Sequence, residues 1–137
     1  MEVLSREEMP IRSEDDIVLV RRRVRAIAGD QKLDSFATAA VATATSELTR
    51  NAWVHGGGGD AVIEQVRGED GRVGMRVAFR DRGPGIAVVE RVLRGGYSTA
   101  RSMGLGLSGS RRLVDELLVE SQVGHGTTVT FVKWKPF

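Results

Sequence analysis

The sequence predicts an α+β fold: a two-layer sandwich in which a mixed, mostly antiparallel sheet carries helices on one face. Two observations predict this class. Segments with helical and with strand periodicity follow the order β-α-α-β-β-α-α-β-β, and two pairs of strands are joined by short glycine-containing turns that favour hairpins. A length of 137 residues is the usual size of one domain, so residues 1–137 are interpreted as a single domain.

The composition excludes several classes of protein. Hydrophobic residues make up 41% and charged residues 28%, and no apolar run approaches the roughly 20 residues that span a bilayer, so we expect a soluble protein without membrane contact. The acidic N-terminus lacks the basic and apolar segments of a secretory signal, which favours a cytoplasmic location. The absence of cysteine excludes disulfides and thiolate metal sites.

Charge and glycine content narrow the function further. The net charge is only +2, and the dense basic run at positions 21–25 falls inside a helical pattern, where a solvated face is the simplest interpretation. No nucleic-acid binding is expected. The 17 glycines cluster at 56–59, 83–85, 95–96, 104–109 and 124–126, which indicates specialised loops rather than evenly spread turns.

Two helices are predicted in the first half of the chain, after a short edge strand over about residues 8–13. Acidic residues at 14–16 cap the first helix, which ends near Gly29. Asp34 caps the second, alanine-rich helix, which runs to about His55 and is closed by the glycines at 56–59. The first helix has apolar residues at helical spacing: Ile17, Val20, Val24, Ile27 and Ala28.

A hairpin, two more helices and a second hairpin are predicted in the remainder. Ala61–Val66 and Val73–Arg80 are strands joined by a turn, and a short helix, about Ala87–Arg94, follows a Gly-Pro-Gly turn. A flexible segment, Gly95–Met103, precedes a glycine-rich stretch that leads into a helix ending near Leu117. The last two strands lie near 118–123 and 127–134.

Polar side chains interrupt the apolar face of the second helix. A stripe of apolar residues continues at the same spacing through Asn51 and His55, and Glu47 lies beside it, one turn before Asn51. A buried amide or carboxylate without a partner costs about 1–3 kcal/mol or more, so these groups need partners in the fold, a cavity or a ligand. An internal hydrogen-bond network is the alternative to a functional site. The stripe consists of Ala37, Ala40, Ala44 and Leu48.

Asp81 and Thr127 break the pattern of two strands. The apolar residues at 73, 75, 77 and 79 share one face, and Asp81 continues that parity just before a Gly-Pro-Gly turn. Thr127 begins a face that Val129 and Phe131 continue. We expect the two to converge at one end of the sheet, where Asp81 could accept a hydrogen bond from an amine. The alternatives are an aspartate that caps its own turn and an ordinary β-branched strand residue.

The spacing Gly104-x-Gly106-x-x-Gly109 is a weak signal by itself. A dinucleotide-binding fingerprint follows directly on a strand of a parallel βαβ unit, whereas here a long segment precedes the glycines and the neighbouring strands are predicted to be antiparallel. A Rossmann domain is therefore excluded. The glycines still allow close backbone approach, and the N-terminus of the following helix presents unpaired N–H groups to phosphate.

Together and in this order, these features resemble the motifs of the GHKL (Bergerat-fold) superfamily of gyrase, Hsp90, histidine kinases and MutL. Glu47–Asn51 is similar to its N box, and Asp81–Gly85, Gly104–Gly109 and Gly126–Thr128 are similar to its three glycine boxes. The resemblance covers nearly the whole chain. Within the superfamily, the isolated domain and the string GGYSTARSMGLGLSGSRRLVDEL resemble the RsbT-type switch serine/threonine kinases of the bacterial stressosome, and less closely the RsbW-type anti-sigma factor kinases.

The resemblance implies a kinase that uses ATP and Mg²⁺. Glu47 would be the catalytic base, Asn51 would bind Mg²⁺ and ATP, and Asp81 would accept a hydrogen bond from the adenine amine, supported by Thr127 through water. Arg101, in the lid between the glycine boxes, would contact the γ-phosphate, with an exposed lid charge as the alternative. The other ATP-binding residues that the resemblance implies are Gly83, Gly85, Gly104, Leu105, Gly106 and Leu107.

The resemblance also implies protein partners. The RsbT type phosphorylates STAS-domain antagonist or scaffold proteins and activates a PP2C-type phosphatase, whereas the RsbW type sequesters a sigma factor. A homodimer is compatible with both. A binding module in which ATP is a structural ligand, and an ATPase without a protein acceptor, are the remaining alternatives.

Overall fold

The structure is a computed structural model that describes residues 1–86 and 101–136, with the backbone alone for residues 101–106. These residues form five strands and three helices. In chain order they are β1 (Glu2–Ile11), α1 (Glu14–Asp30), α2 (Ser35–Val54), β2 (Gly59–Arg67), β3 (Val73–Asp81), α3 (Arg101–Leu113), β4 (Glu116–Gln122) and β5 (Gly126–Trp134). The strands form one sheet in the order β1-β2-β3-β5-β4. Every pairing in this sheet is antiparallel, and the predicted α+β class is confirmed.

The helices cover one face of the sheet. On β3, Met75, Val77 and Phe79 are buried in the core, and Phe79 stacks against Phe131 of β5 with ring centroids 6.1 Å apart. This is the alternation in a period of two that the sequence predicts. It places Asp81, which continues the same parity, at the end of the helix-covered face.

The opposite, open face of the sheet carries charged side chains. Arg76 of β3 pairs with Glu64 of β2, and Arg80 pairs with Asp60, each at 2.7 Å. Partly exposed pairs of this kind contribute little to stability, about 0–1 kcal/mol each. They do keep this face polar, which explains why the helices pack on the other side only.

Helix α2 is the central element of the helical layer and contacts both α1 and α3. The Asp34 carboxylate accepts a hydrogen bond from the Ala37 N–H at 2.7 Å, so the predicted N-cap is confirmed. After Val54 the chain leaves the helix through Gly57, whose φ of 74° favours glycine. Among the described helices, none is both long enough and apolar enough to cross a membrane.

The predicted first strand is misplaced. It runs from Glu2 to Ile11 rather than over residues 8–13, because the Arg12 N–H donates to the Asp16 carboxylate at 2.7 Å and the chain turns there into α1. The start of the strand carries no apolar alternation to indicate it, since its first residues lie exposed on an edge strand.

The predicted boundaries of the third described helix are also wrong. Because α3 begins at Arg101 and ends at Leu113, the stretch Gly104–Gly109 lies inside the helix instead of before it. Glycine costs about 1 kcal/mol relative to alanine in a helix, but the burial of Leu107 overrides that preference. Leu117, the predicted end of the helix, belongs to β4. The predicted helix Ala87–Arg94 and residues 95–100 of the predicted flexible segment lie outside the described residues, and residues 101–103 of that segment are helical.

Candidate active site

Residues from four elements meet in one small cavity on the helix-covered side of the sheet. Asn51 comes from α2, Asp81 from the end of β3 and Thr127 from the start of β5, and Leu107 of α3 closes the cavity. The predicted convergence of Asp81 and Thr127 is confirmed, because the two residues are paired in the β3–β5 register. The full lining is Leu48, Asn51, Ala52, Phe79, Asp81, Leu107, Thr127 and Val129.

Asp81 has one carboxylate oxygen with no hydrogen-bond partner among the described residues. Its Oδ1 accepts hydrogen bonds from the N–H groups of Gly83 at 2.9 Å and Thr127 at 3.3 Å, whereas Oδ2 accepts none from the described residues. Burial raises the pKa of Asp81 above its ordinary value, and these two bonds and the nearby charge of His55 oppose that rise. Oδ2 is therefore an acceptor in a partly desolvated place, suited to an N–H donor of a ligand.

A glycine loop packs directly against Asp81. A Cβ atom on Gly56 would collide with the Asp81 carboxyl group, and one on Gly83 would lie 2.6 Å from the Cα atom of Gly56. This close approach fixes where the carboxylate can lie. The sequence interpretation missed the role of Gly56, because it assigned the glycines at 56–59 only to the end of α2. Four consecutive glycines are more than one helix end requires, and that excess was the available signal.

Asn51 and Glu47 have different surroundings, although they lie one turn apart on α2. The Nδ2 atom of Asn51 is buried and has no hydrogen-bond partner among the described residues, as expected of a group that a ligand satisfies. The Glu47 side chain is 43% exposed, and Arg50, at 3.9 Å, is its one ion-pair partner in the described part of the chain. Glu47 thus lies on the solvent side of α2, within reach of a group that approaches from outside.

Ser121 of β4 joins three parts of the site. Its Oγ accepts a hydrogen bond from the Ile86 N–H at 2.7 Å, donates to the Gly126 carbonyl at 3.1 Å and lies 2.8 Å from Thr127 Oγ1. Because a hydroxyl has a single proton, Thr127 must be the donor in the last pair, and its own oxygen remains an acceptor. Ser121 therefore orients Thr127 and anchors the chain after Gly85. The sequence interpretation missed this residue, since a serine in an alternating strand carries no motif.

Removing the Ser121 hydroxyl should affect both stability and nucleotide binding. Ser121→Ala leaves the Ile86 N–H without an acceptor, so we expect the free energy of unfolding to fall by about 1–3 kcal/mol and ATP binding to weaken. Urea denaturation and titration with a fluorescent ATP analogue measure the two effects. Ser121→Thr, which keeps the hydroxyl, should retain both properties. Thr130→Val removes a hydroxyl from the open face and is the matched control; equal losses in both variants would contradict the role of Ser121.

The cavity is small, and a larger recess lies beside it. The cavity volume is about 10 Å³, room for at most one water molecule. A recess of about 1020 Å³ lies across the glycine loop; it includes Asp81, Arg12 and Arg82 but none of Asn51, Leu107 and Thr127. We place the site at the small cavity because it joins Asp81 to the Asn51 amide, whose Nδ2 atom has no partner among the described residues.

The remaining predicted ligand residues belong to the turn after β3 and to the first turns of α3. The N–H of Gly124 donates to the Pro84 carbonyl at 2.8 Å, which ties the turn between Gly83 and Gly85 to the β4–β5 turn. Gly104 and Gly106 are helical residues of α3, and Arg101 is its first residue. Within the described residues, no three histidine, aspartate or glutamate side chains group as metal ligands, so a cation here would need oxygens from a ligand or water.

Comparisons with known proteins identify the family of the chain. Residues 37–136 match the model of the histidine kinase-, DNA gyrase B- and HSP90-like ATPase family. The chain is 38% identical to the serine/threonine-protein kinase RsbT of Bacillus subtilis (strain 168) over 124 residues, which cover 90% of this chain and 92% of RsbT. It is 35% identical to the anti-sigma F factor of Geobacillus thermodenitrificans (strain NG80-2) over 99 residues, 68% of this chain and 66% of that protein.

Solved structures show the same fold. The RsbU and RsbW domains of Rv1364c from Mycobacterium tuberculosis match with a TM-score of 0.62 and 23% identity, over 96% of this chain and 33% of that chain. The SiaB–SiaC complex from Pseudomonas aeruginosa matches with a TM-score of 0.56 and 15% identity, over 97% of this chain and 91% of that chain. The family match spans well over half of the sequence. The chain therefore belongs to the family of histidine kinase-, DNA gyrase B- and HSP90-like ATPases.

Proposed function

We propose that this chain is an ATP-dependent protein serine/threonine kinase that phosphorylates STAS-domain antagonist or scaffold proteins. In this proposal residues 1–137 act as one cytoplasmic domain, a partner-switching regulator of a bacterial stress response that also acts on a PP2C-type phosphatase. The observation that carries the proposal is the 38% identity to the kinase RsbT across 92% of that protein. The buried Asn51 Nδ2 atom at the cavity, which has no partner among the described residues, supports nucleotide binding independently.

Asp81 and Thr127 hold the adenine base in this proposal. Asp81 Oδ2 accepts a hydrogen bond from the adenine amine, because Oδ1 is already occupied by two backbone N–H groups. Thr127, whose proton is directed to Ser121, accepts from a water molecule beside the base. Because Asp81 Oδ2 and the Thr127 hydroxyl oxygen both accept hydrogen bonds, the site distinguishes adenine, which carries an amine, from guanine, which carries a carbonyl at the same position.

Asn51 is the residue that would hold Mg²⁺. The donor chemistry fits, because Mg²⁺ takes oxygen ligands, needs few of them from the protein and fills the rest of its octahedron with water and phosphate oxygens. The buried Nδ2 atom of Asn51, which has no partner among the described residues, would donate to a phosphate oxygen and leave Oδ1 as the metal ligand. When bound, Mg²⁺ neutralises charge on the phosphate oxygens. Gly83, Gly85, Gly104, Leu105, Gly106 and Leu107 complete the proposed nucleotide site, and Arg101 contacts the γ-phosphate.

Glu47 is the proposed base. It takes the proton of the acceptor serine or threonine as that oxygen bonds to the γ-phosphorus, while the bond from the γ-phosphorus to the bridging oxygen of ADP breaks. Its half-exposed position suits an acceptor that arrives from solvent. The guanidinium of Arg50, 3.9 Å from the carboxylate, is too distant to occupy both of its oxygens, so the base stays available to the acceptor.

An anti-sigma factor kinase is the second candidate, and the 35% identity to an anti-sigma F factor over 68% of this chain favours it. In that case the chain sequesters a sigma factor and phosphorylates its antagonist. Both candidates are kinases, so they are distinguished by the protein that each one binds: a phosphatase for the first and a sigma factor for the second.

A transfer assay and a pull-down test the proposal. The protein, Mg²⁺, γ-labelled ATP and a STAS-domain antagonist from the same genome should give a labelled phosphoserine or phosphothreonine on the antagonist. Asn51→Ala should abolish the label without lowering the thermal midpoint by more than a few degrees. ATP turnover that is rapid alone and unchanged by the antagonist would reject a kinase. A sigma factor recovered from the native cell, without scaffold or phosphatase, would select the second candidate.

A further inference from the structure

One long face of α2 is exposed and carries a large apolar side chain at each end. At about 100° per residue, positions 36, 43, 47 and 54 fall within about 20° of one line along the helix. Phe36 is 82% exposed and Val54 is 57% exposed, and Thr43 is exposed between them. We call this line, with the two exposed residues at its border, the outer face of α2: Phe36, Ala39, Thr43, Glu47, Arg50 and Val54.

The composition of the outer face is unusual for the solvent side of a helix. That side normally carries charged and polar residues, whereas here only Glu47 and Arg50 are charged, and the others are alanine, threonine, valine and phenylalanine. A phenylalanine this exposed contributes nothing to the core of its own chain. A single exposed apolar residue is ordinary, but Phe36 is aligned with the candidate base and separated from it by small side chains only. Such an arrangement is typical of an anchor in a protein–protein contact.

We propose that the outer face of α2 is the docking surface for the acceptor protein of the phosphoryl transfer, with Phe36 as its anchor. The inference rests on the proposed function, because it uses Glu47 as the base. An acceptor hydroxyl must come within hydrogen-bond distance of that carboxylate, and Glu47 lies within the face. Any protein whose serine or threonine reaches Glu47 therefore covers the neighbouring residues of this helix.

The dimensions and chemistry of the face specify the partner surface. Phe36 lies eleven residues before Glu47, about 16 Å along the helix, which is within the footprint of an ordinary protein interface. Ala39 and Thr43, four residues apart, have short side chains that let a partner backbone approach closely between the anchor and the base. The acceptor should thus present an apolar pocket for Phe36 about 16 Å from its phosphorylated hydroxyl.

The first test separates docking from chemistry. With a STAS-domain antagonist from the same genome as acceptor, Phe36→Asp should raise the KM for the antagonist about tenfold, the factor that 1.4 kcal/mol corresponds to, and leave kcat, ATP affinity and the melting temperature unchanged. Phe36→Leu should restore most of the affinity. Leu118→Asp is the matched control, because Leu118 is 57% exposed on the open face of the sheet, away from Glu47. A KM that is unchanged in Phe36→Asp, or raised equally in Leu118→Asp, overturns the inference.

The second test works without catalysis. A photo-crosslinking amino acid placed at position 36 should capture the antagonist in the presence of a non-hydrolysable ATP analogue, and the same group at position 118 should not. Capture from position 118 alone, or from neither position, overturns the inference. If the antagonist is captured from position 36 but never phosphorylated by the unmodified chain, the proposed kinase function fails and the docking surface stands.

Discussion

Asp81→Asn is expected to abolish adenine-nucleotide binding while leaving the protein folded. The two N–H groups of Gly83 and Thr127 hold Oδ1, so the asparagine must keep its oxygen there and place its NH₂ group where Oδ2 lies now. The atom that faces the ligand then changes from an acceptor to a donor, and two donors meet. Loss of one such charge-assisted bond and creation of an unpaired donor should weaken binding about 100-fold or more. Isothermal titration calorimetry with ATP measures the change in the dissociation constant.

The same substitution should stabilise the ligand-free protein at neutral pH. Burial raises the pKa of Asp81, so the folded state binds its proton more tightly than the unfolded state does. Above the folded pKa the carboxylate is charged and partly desolvated; this cost shrinks as the pH falls below the folded pKa and is absent below the unfolded pKa. Asp81→Asn should therefore have a higher urea midpoint than the unmodified chain at pH 7, and the difference should shrink under acid conditions.

Asp60→Asn is the matched control for this pH dependence, because its shift has the opposite sign. The side-chain hydrogen bond from Arg80 lowers the pKa of Asp60, so its carboxylate contributes stability above the unfolded pKa that is lost as the pH falls through the folded pKa. Removing that charge should lower the urea midpoint at pH 7. If Asp81→Asn binds ATP normally, or loses stability at pH 7 as Asp60→Asn does, the geometry of Oδ2 does not have the role assigned to it.

Glu47→Gln is expected to reduce phosphoryl transfer by about 10²–10⁴-fold, the usual contribution of a positioned general base. ATP affinity should change little, because Glu47 lies outside the cavity lining. The fold should persist as well, since the carboxylate is half-exposed and its one ion pair within the described residues, with Arg50, is long. Single-turnover transfer to the antagonist at saturating ATP measures the chemical step alone.

Glu120→Gln provides the comparison for Glu47→Gln. Glu120 is an exposed carboxylate on β4, paired in register with Thr128 and away from α2, so its neutralisation should leave transfer unchanged. A Glu47→Gln variant that transfers phosphate at the normal rate would remove Glu47 from the mechanism. If Glu47→Gln instead weakened ATP binding by the same factor as it slowed transfer, Glu47 would be a nucleotide-binding residue rather than the base.

The sequence predicted best those elements whose signals are local. Asp34 caps α2 because its carboxylate meets an N–H three residues later, and the alternation that ends at Asp81 is a property of one strand. That Asn51 and Asp81 belong to one site was implied only by the family resemblance, which assigns both residues to ATP. Their roles toward ATP and Mg²⁺ remain predictions.

The features that could not be predicted from the sequence depend on contacts between segments that are distant along the chain. Ser121 acts only because β4 pairs with β5 and brings its hydroxyl to Thr127, and no spacing along the chain reveals that. The start of α3 was misplaced because local preference disfavours glycine in helices, whereas the packing of Leu107 decides. The exposure of Phe36 was equally unreadable, since in an alanine-rich helix apolar residues occur on every face.

The position of Leu107 in the cavity should affect the rate at which a nucleotide associates. The cavity that Leu107 lines, about 10 Å³ in volume, has no room for an adenine ring, so we expect a nucleotide to associate with molecules in which this cavity has widened. The measured dissociation constant then exceeds the intrinsic one by the reciprocal of the open fraction. In stopped-flow experiments the observed association rate should level off as the ATP concentration rises, at the rate of opening. Leu107→Ala should raise that plateau.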